Sequence, residues 1–157
     1  MHLALYQPDQ PPNTGTMLRL GACLGVAVHV IEPAGFPFSR RAVRRYGLDY
    51  VDDVDLRHHL DDAAFWRWLD GHRAATGGRL ILLTTDAATG YTGLDYGPHD
   101  VLMVGRESGG VPEDVHARAD ARARIHMAAG ARSLNVAVAA AMVLGEALRQ
   151  TGKDTPR

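Results

Sequence analysis

The chain has a single cysteine, Cys23, so no internal disulfide can form, which fits a reducing compartment. Cys23 lies in an apolar stretch and reads as a small buried hydrophobe. No run of about 18 apolar residues occurs, so no membrane-spanning helix is expected. The amino terminus meets Pro8 too early for the apolar core of a secretory signal, and the cytoplasm is the expected location. Aromatic residues make up only 6%, and the formal net charge is −1. Such a chain has no global field for nucleic acid, so an RNA site must be a local basic patch. Two phosphate-binding signatures are missing: no Gly-Lys-Ser/Thr closes a glycine loop, and no Gly-x-Gly-x-x-Gly occurs. His58 and His59 are adjacent, cannot share one face, and read as solvated; no metal set is expected.

What is present suits one α/β domain spanning residues 1–157: 46% of the residues are hydrophobic and 22% charged. Strands are expected over 2–7, 26–31, 79–84, 101–104 and 124–127. Between them, Asn13 caps a helix over 14–24 that stops at Gly25. Ser39 caps a basic helix ending near Gly47, and Asp61 or Asp62 starts another through Trp66 and Leu69. Pro112, Glu113 and Asp114 suit the first turn of a helix. Ser133 opens a terminal helix to about Gln150, with a frayed tail after it. Strands alternating with helices imply a mainly parallel sheet flanked by helices.

Three segments carry more than scaffold. In Pro12-Asn13-Thr14-Gly15-Thr16-Met17-Leu18-Arg19, the residues Met17, Leu20 and Leu24 mark a core stripe. Arg19 points away from it beside small Gly15 and Thr16, which leaves room for a phosphate in its planar fork. Gly105-Arg106-Glu107-Ser108-Gly109-Gly110-Val111-Pro112 follows a strand and precedes a helix, where ligands of parallel sheets bind. In the third segment, Ile125-His126-Met127 leads to Arg132-Ser133-Leu134-Asn135, with Asn135 in a first helical turn and Gly145 deeper in the helix. A helical glycine costs about 1 kcal/mol relative to alanine, which suggests a packing need. Arg40, Arg41, Arg44 and Arg45 give four arginines in six residues, a candidate RNA-contacting patch.

In this order, the segments resemble the SPOUT methyltransferases, most nearly the minimal TrmL/YibK-like branch. The resemblance covers roughly residues 3 to 150. It is carried by Pro11-Pro12-Asn13-Thr14-Gly15-x-x-x-Arg19, Ile31-Glu32-Pro33-x-Gly35-Phe36, Arg41-x-x-Arg44-Arg45-x-Gly47-Leu48-Asp49-Tyr50 and Leu83-Thr84-Thr85. Gly105-x-Glu107-x-x-Gly110-Val111-Pro112 and Arg132-Ser133-Leu134-Asn135, with Glu146-x-x-Arg149-Gln150, complete it. The resemblance implies a parallel sheet whose C-terminal third threads a deep trefoil knot. It also implies a cytoplasmic homodimer with its active sites at the subunit interface. The expected reaction moves a methyl group from S-adenosylmethionine, leaving S-adenosylhomocysteine, to the ribose 2′-hydroxyl of the tRNA wobble nucleotide.

By position, the resemblance places Leu83, Thr84, Gly105, Glu107, Ile125, Met127, Ser133 and Leu134 at the cofactor. It places Asn13, Arg19, Glu107, Ser133 and Asn135 in the catalytic set. A ribose hydroxyl is a weak nucleophile until its proton is lost. Arginine keeps its proton at neutral pH, so Arg19 is read as gripping an RNA phosphate and stabilising the developing alkoxide rather than as a literal base. Another tRNA site, a ribosomal RNA site and a non-catalytic RNA-binding relative remain alternatives at this stage.

Overall fold

The computed structural model describes residues 1–152; the frayed tail expected beyond Gly152 lies outside them. Strands β1 (His2–Tyr6), β2 (Ala27–Ile31), β3 (Leu56–His59), β4 (Leu80–Leu83), β5 (Val101–Val104) and β6 (Ala121–Ala123) form one sheet. Their order is β3-β2-β1-β5-β4-β6, and every pairing is parallel. Helices α1 (Pro11–Leu24), α2 (Arg40–Gly47), α3 (Tyr50–Asp53), α4 (Asp62–Thr76), α5 (Glu113–Arg118) and α6 (Val136–Gln150) cover both faces.

The central strands are apolar on both sides because both faces are covered. Leu3, Leu5, Val28, Val30, Ile81, Leu102 and Val104 pack in one core with Met17 and Leu18 of α1, Val43 of α2 and Val143 and Leu144 of α6. Their neighbours Ala4, Tyr6, Ile31, Leu80, Leu82, Val101 and Met103 alternate to the opposite face, against Phe65 and Leu69 of α4 and Val115 of α5. Burying one such side chain stabilises the fold by about 1.5–3 kcal/mol. No helix among the described residues is long and apolar enough to cross a membrane.

Several elements differ from the sequence expectation. Helix α1 starts at Pro11, not after Asn13, because Pro11 and Pro12 occupy first-turn positions whose missing N–H groups cost nothing. Its buried stripe is Thr14, Met17, Leu18 and Gly21 rather than Met17, Leu20 and Leu24; Leu24 and Cys23 are exposed in the last turn. The space beside Gly15 is filled by α2: a Cβ there would lie 2.5 Å from the Cβ of Tyr46. Helix α6 is capped by Asn135, not Ser133, its side chain accepting from the N–H groups of Ala137 and Val138. The last strand pairs at Ala121–Ala123 instead of 124–127, and Arg124 makes only an isolated bridge to Gly90. Strand β3 and helix α3 had no distinct signal, since Asp and Arg dominate 52–57 and β3 is an edge strand with two exposed residues. The caps Ser39 and Asp61 stand as expected, each accepting from a backbone N–H in the first turn.

His59 is buried, not solvated. His29 Nδ1 lies 2.8 Å from His59 Nε2, and His29 Nε2 lies 3.1 Å from His2 Nδ1, with Trp68 packed 3.9 Å from the His29 ring centre. His58 points outward to Glu32, 3.1 Å away. Burial, reinforced by the neighbouring histidines and Arg57, lowers His29 to about 2; burial and the nearby amino terminus lower His2 to about 4; burial lowers His59 too. Because the unfolded chain takes up these protons first, the histidines' contribution is complete above about pH 6.5 and is lost as the pH falls below that value. His29→Gln is expected to flatten the acid-side loss of stability, by up to about 1.4 kcal/mol per pH unit. Urea midpoints between pH 7 and 4.5 measure this, and slopes equal to those of the unmodified protein would refute it.

Candidate active site

The strand order places β1 beside β5, although the chain leaves β1 toward β2 and reaches β5 from the other side. Loops that follow such neighbours diverge at the carboxyl edge and leave a crevice between them. Here the crevice opens into a cavity of about 720 Å³. It is walled by the segments after β4, β5 and β6 and by the starts of α1 and α6.

The loops after β1 and β5 are fastened to one another. Asp9 accepts the N–H groups of Glu107, at 3.1 Å, and Ser108, at 3.2 Å, together with the Ser108 hydroxyl. Glu107 accepts in return from the Asp9 N–H at 3.4 Å and from Asn13 Nδ2 at 3.0 Å. Asn135 Nδ2 donates to Asn13 Oδ1 at 2.9 Å, which extends the chain of contacts to the cap of α6. Burial opposes ionisation of Asp9, but Glu107, Ser108 and the two backbone donors outweigh it and hold its carboxyl at about 2. Glu107 moves the other way, raised by burial and by the adjacent Asp9 carboxylate. One acid of the pair is thus firmly charged and its neighbour holds a proton more readily.

The β5 loop closes on itself. Arg106 and Gly110 exchange backbone hydrogen bonds of 3.0 and 2.8 Å, and Gly110 takes a left-handed φ of +63°. Gly105 lies so close beneath that a Cβ would stand 2.6 Å from the Gly110 carbonyl carbon. Glycine is needed here for approach as much as for conformation.

Residues 1–145 match the SpoU rRNA Methylase family. The chain belongs to that family. It is 58% identical to the tRNA (cytidine(34)-2′-O)-methyltransferase of Beijerinckia indica subsp. indica, over 99% of this chain and 98% of that protein. A solved structure concerned with the 2-OH methylation of C/U34 on tRNA superposes with a TM-score of 0.86 at 40% identity, covering 95% of this chain and 94% of the other. The AdoMet-bound rRNA methyltransferase from Sinorhizobium meliloti gives a TM-score of 0.82 at 29% identity, over 94% of this chain and 55% of that one.

In this SpoU chain, Leu83, Thr84, Gly105, Glu107, Ile125, Met127, Ser133 and Leu134 all line the one cavity, as do Asn13 and Asn135. Arg19 does not line it. Six residues beyond Asn13, Arg19 sits about 9 Å further along α1 and on another face. Its guanidinium lies 5.0 Å from the centre of the Tyr50 ring. The arginine patch is also divided. Arg44 is engaged by Asp52 at 2.8 Å and Asp49 at 3.3 Å, and Arg40 donates to the Val51 carbonyl. Arg41 and Arg45 have no carboxylate partner among the described residues. Sequence reasoning missed Asp9, whose signal is only an isolated acid between prolines. It also passed over Gln10, Asp86, Arg106 and His116, which reach the cavity from separate segments.

Gly105→Ala is expected to force the β5 loop open and to lower stability by roughly 1–3 kcal/mol. Gly109→Ala, where a Cβ meets nothing within 4 Å, is expected to stay within about 0.5 kcal/mol. Chemical denaturation of the two variants makes the comparison; equal losses would mean that the close approach at Gly105 is not what constrains the loop.

Proposed function

We propose that this chain, acting as one SPOUT domain in the cytoplasm, methylates the ribose 2′-hydroxyl of the wobble nucleotide, position 34, of tRNA, with S-adenosylmethionine as methyl donor. The observation that carries the reading is the cavity. Leu83, Ile125, Leu134 and Val136 offer apolar walls, while Glu107, Asn13 and Asn135 form a connected polar rim. This is the kind of wall and rim that seats a nucleoside and orients it. The β5 loop brings backbone close at Gly105, where a side chain would intrude. The cofactor supplies an electrophilic methyl on sulfur. The chain's own residues hold it, exclude water and align the hydroxyl. Leu83, Thr84, Gly105, Met127, Ser133 and Leu134 would contact the cofactor; Asn13, Glu107 and Asn135 would orient the ribose side.

A homodimer completes the site. Arg19 lies outside the cavity of its own chain, yet the outward strip of α1, Thr16, Arg19 and Cys23, is exposed. The outward strip of α6 carries Val138, 50% exposed, Met142, 38% exposed, and Gly145, beside which a Cβ meets nothing within 4 Å. A second copy laid on these strips would use Gly145 for the close approach that this chain does not make internally. Its Arg19 would then bind an RNA phosphate at the cavity mouth and stabilise the developing alkoxide.

We also infer the trefoil knot. Strand β6 is outermost, whereas α6 packs at the centre against β5 and α1, so the chain after β6 must recross the carboxyl edge. Residues from the β4, β5 and β6 loops share the cavity that this crossing forms. Knotted chains are rare, and periodicity carries no signal for one.

Labelled methyl from S-adenosylmethionine is expected to appear on the ribose of nucleotide 34 when total tRNA is supplied and the product is mapped with nucleases. Label at another nucleotide would move the substrate, and none would reject the activity. Arg19→Lys, which keeps the charge but not the fork, is expected to lower kcat by on the order of 100-fold; full retained rate would exclude the bidentate role.

A further inference from the structure

Eight large hydrophobic residues are conspicuously exposed among the described residues, and three of them, Tyr46, Leu48 and Tyr50, fall within five positions where α2 meets α3. Tyr46 is 37% exposed and Tyr50 40%. The corner is held in a strained form: Leu48, which is not glycine, has a φ of +56°. Such a conformation is unfavourable for a branched apolar side chain and persists only where surrounding structure enforces it. Gly15 and Gly47 allow the enforcement, since a Cβ on Gly15 would meet Tyr46 and one on Gly47 would meet Val51 at 2.4 Å. The packing of α1 against the corner therefore turns two rings outward instead of burying them.

Each ring has an arginine beside it. The guanidinium carbon of Arg45 lies 5.8 Å from the centre of Tyr46, and that of Arg19 5.0 Å from Tyr50. Neither arginine, nor Arg41 on the same helix, has a carboxylate partner among the described residues. This surface, with three arginines that no carboxylate among the described residues neutralises, calls for an anionic occupant. Unpaired nucleotides suit it well. Their bases stack on aromatic faces, and the phosphates between them are neutralised by arginine.

We propose that the α2–α3 corner is a stacking platform for unpaired bases of the RNA loop that presents the methylated nucleotide, with Tyr46 and Tyr50 as the rings and Arg41, Arg45 and Arg19 as the phosphate contacts. The proposal rests on the reading of the chain as a tRNA methyltransferase. It adds a preference for looped over duplex RNA that resides in neutral side chains. Because the rings carry no charge, their contribution is independent of salt, while that of the arginines weakens as salt rises.

The test uses the full-length protein and two fluorescent RNAs, an anticodon stem-loop and a duplex of equal length, followed by anisotropy. The unmodified protein is expected to prefer the stem-loop. Tyr46→Leu and Tyr50→Leu are each expected to weaken stem-loop binding about tenfold, with the same loss at low and high salt and little change for the duplex. Tyr46→Phe and Tyr50→Phe are expected to restore binding, since the ring and not the hydroxyl is required. S-adenosylhomocysteine affinity, measured by calorimetry, checks that each variant is folded. Leucine variants that bind the stem-loop normally, or that lose stem-loop and duplex alike, would overturn the platform and leave the methyltransferase reading intact. Leucine variants that turn a dimer into a monomer in sedimentation would overturn it in favour of a subunit contact. An unmodified protein that binds neither RNA would reject both readings.

Discussion

The carboxylate of Asp9 ties the loop after β1 to the loop after β5, and the rest of the carboxyl edge is arranged around that tie. Two backbone donors from Glu107 and Ser108 converge on it. Charge-assisted hydrogen bonds of this kind are about twice as strong as neutral ones. With that loop fixed, Glu107 is aimed at Asn13, Asn13 at Asn135, and Asn135 at the first turn of α6. Three segments far apart in the chain are thereby set in one geometry. The proximity of the acids also separates their affinities for protons, Asp9 falling and Glu107 rising. Orientation and electrostatics at the site thus share one origin.

A chain with a net charge of −1 has to recruit a polyanion locally. Some of its arginines are already engaged by carboxylates. Arg79 is committed to buried Asp100 at 2.7 Å, Arg73 to Asp120 at 2.6 Å and Arg44 to Asp52 and Asp49. What remains at the α2–α3 corner is Arg41, Arg45 and Arg19, two of them stacked on tyrosine. An arginine lying over a ring keeps its hydrogen-bonding edge free for a phosphate.

The histidines of the opposite face are a contrasting use of titratable groups. His2, His29 and His59 are kept neutral by burial between the sheet and α4, where Trp68 and Phe65 close around them. They belong to the scaffold behind the cavity and bind its first three strands together, since each stands on a different strand of β1, β2 and β3. Their consequence is for acid stability.

Local physics wrote much of this fold into the sequence. The apolar β1, β2, β4 and β5, the caps Ser39 and Asp61 and the glycine stop at Gly25 follow from alternation, capping and left-handed turns, each legible within a few residues. The ordered motifs marked the cavity residues and the family. The edge strand β3 escaped notice because it is half polar, and β6 was misplaced because three residues carry too little periodicity. Asn13 and Ser133 read as caps because capping is a local preference, whereas the hydrogen bond of Asn13 to Glu107 spans 94 positions and that of Asn135 to Asn13 spans 122. The exclusion of Arg19 from its own cavity, the commitment of Arg44 to aspartates and the exposure of Tyr46 and Tyr50 were likewise decided only in three dimensions. Sequence determines which side chains and turns are available over a few residues; only the packed chain determines which donor finds which acceptor, because that pairing depends on distances no local pattern encodes.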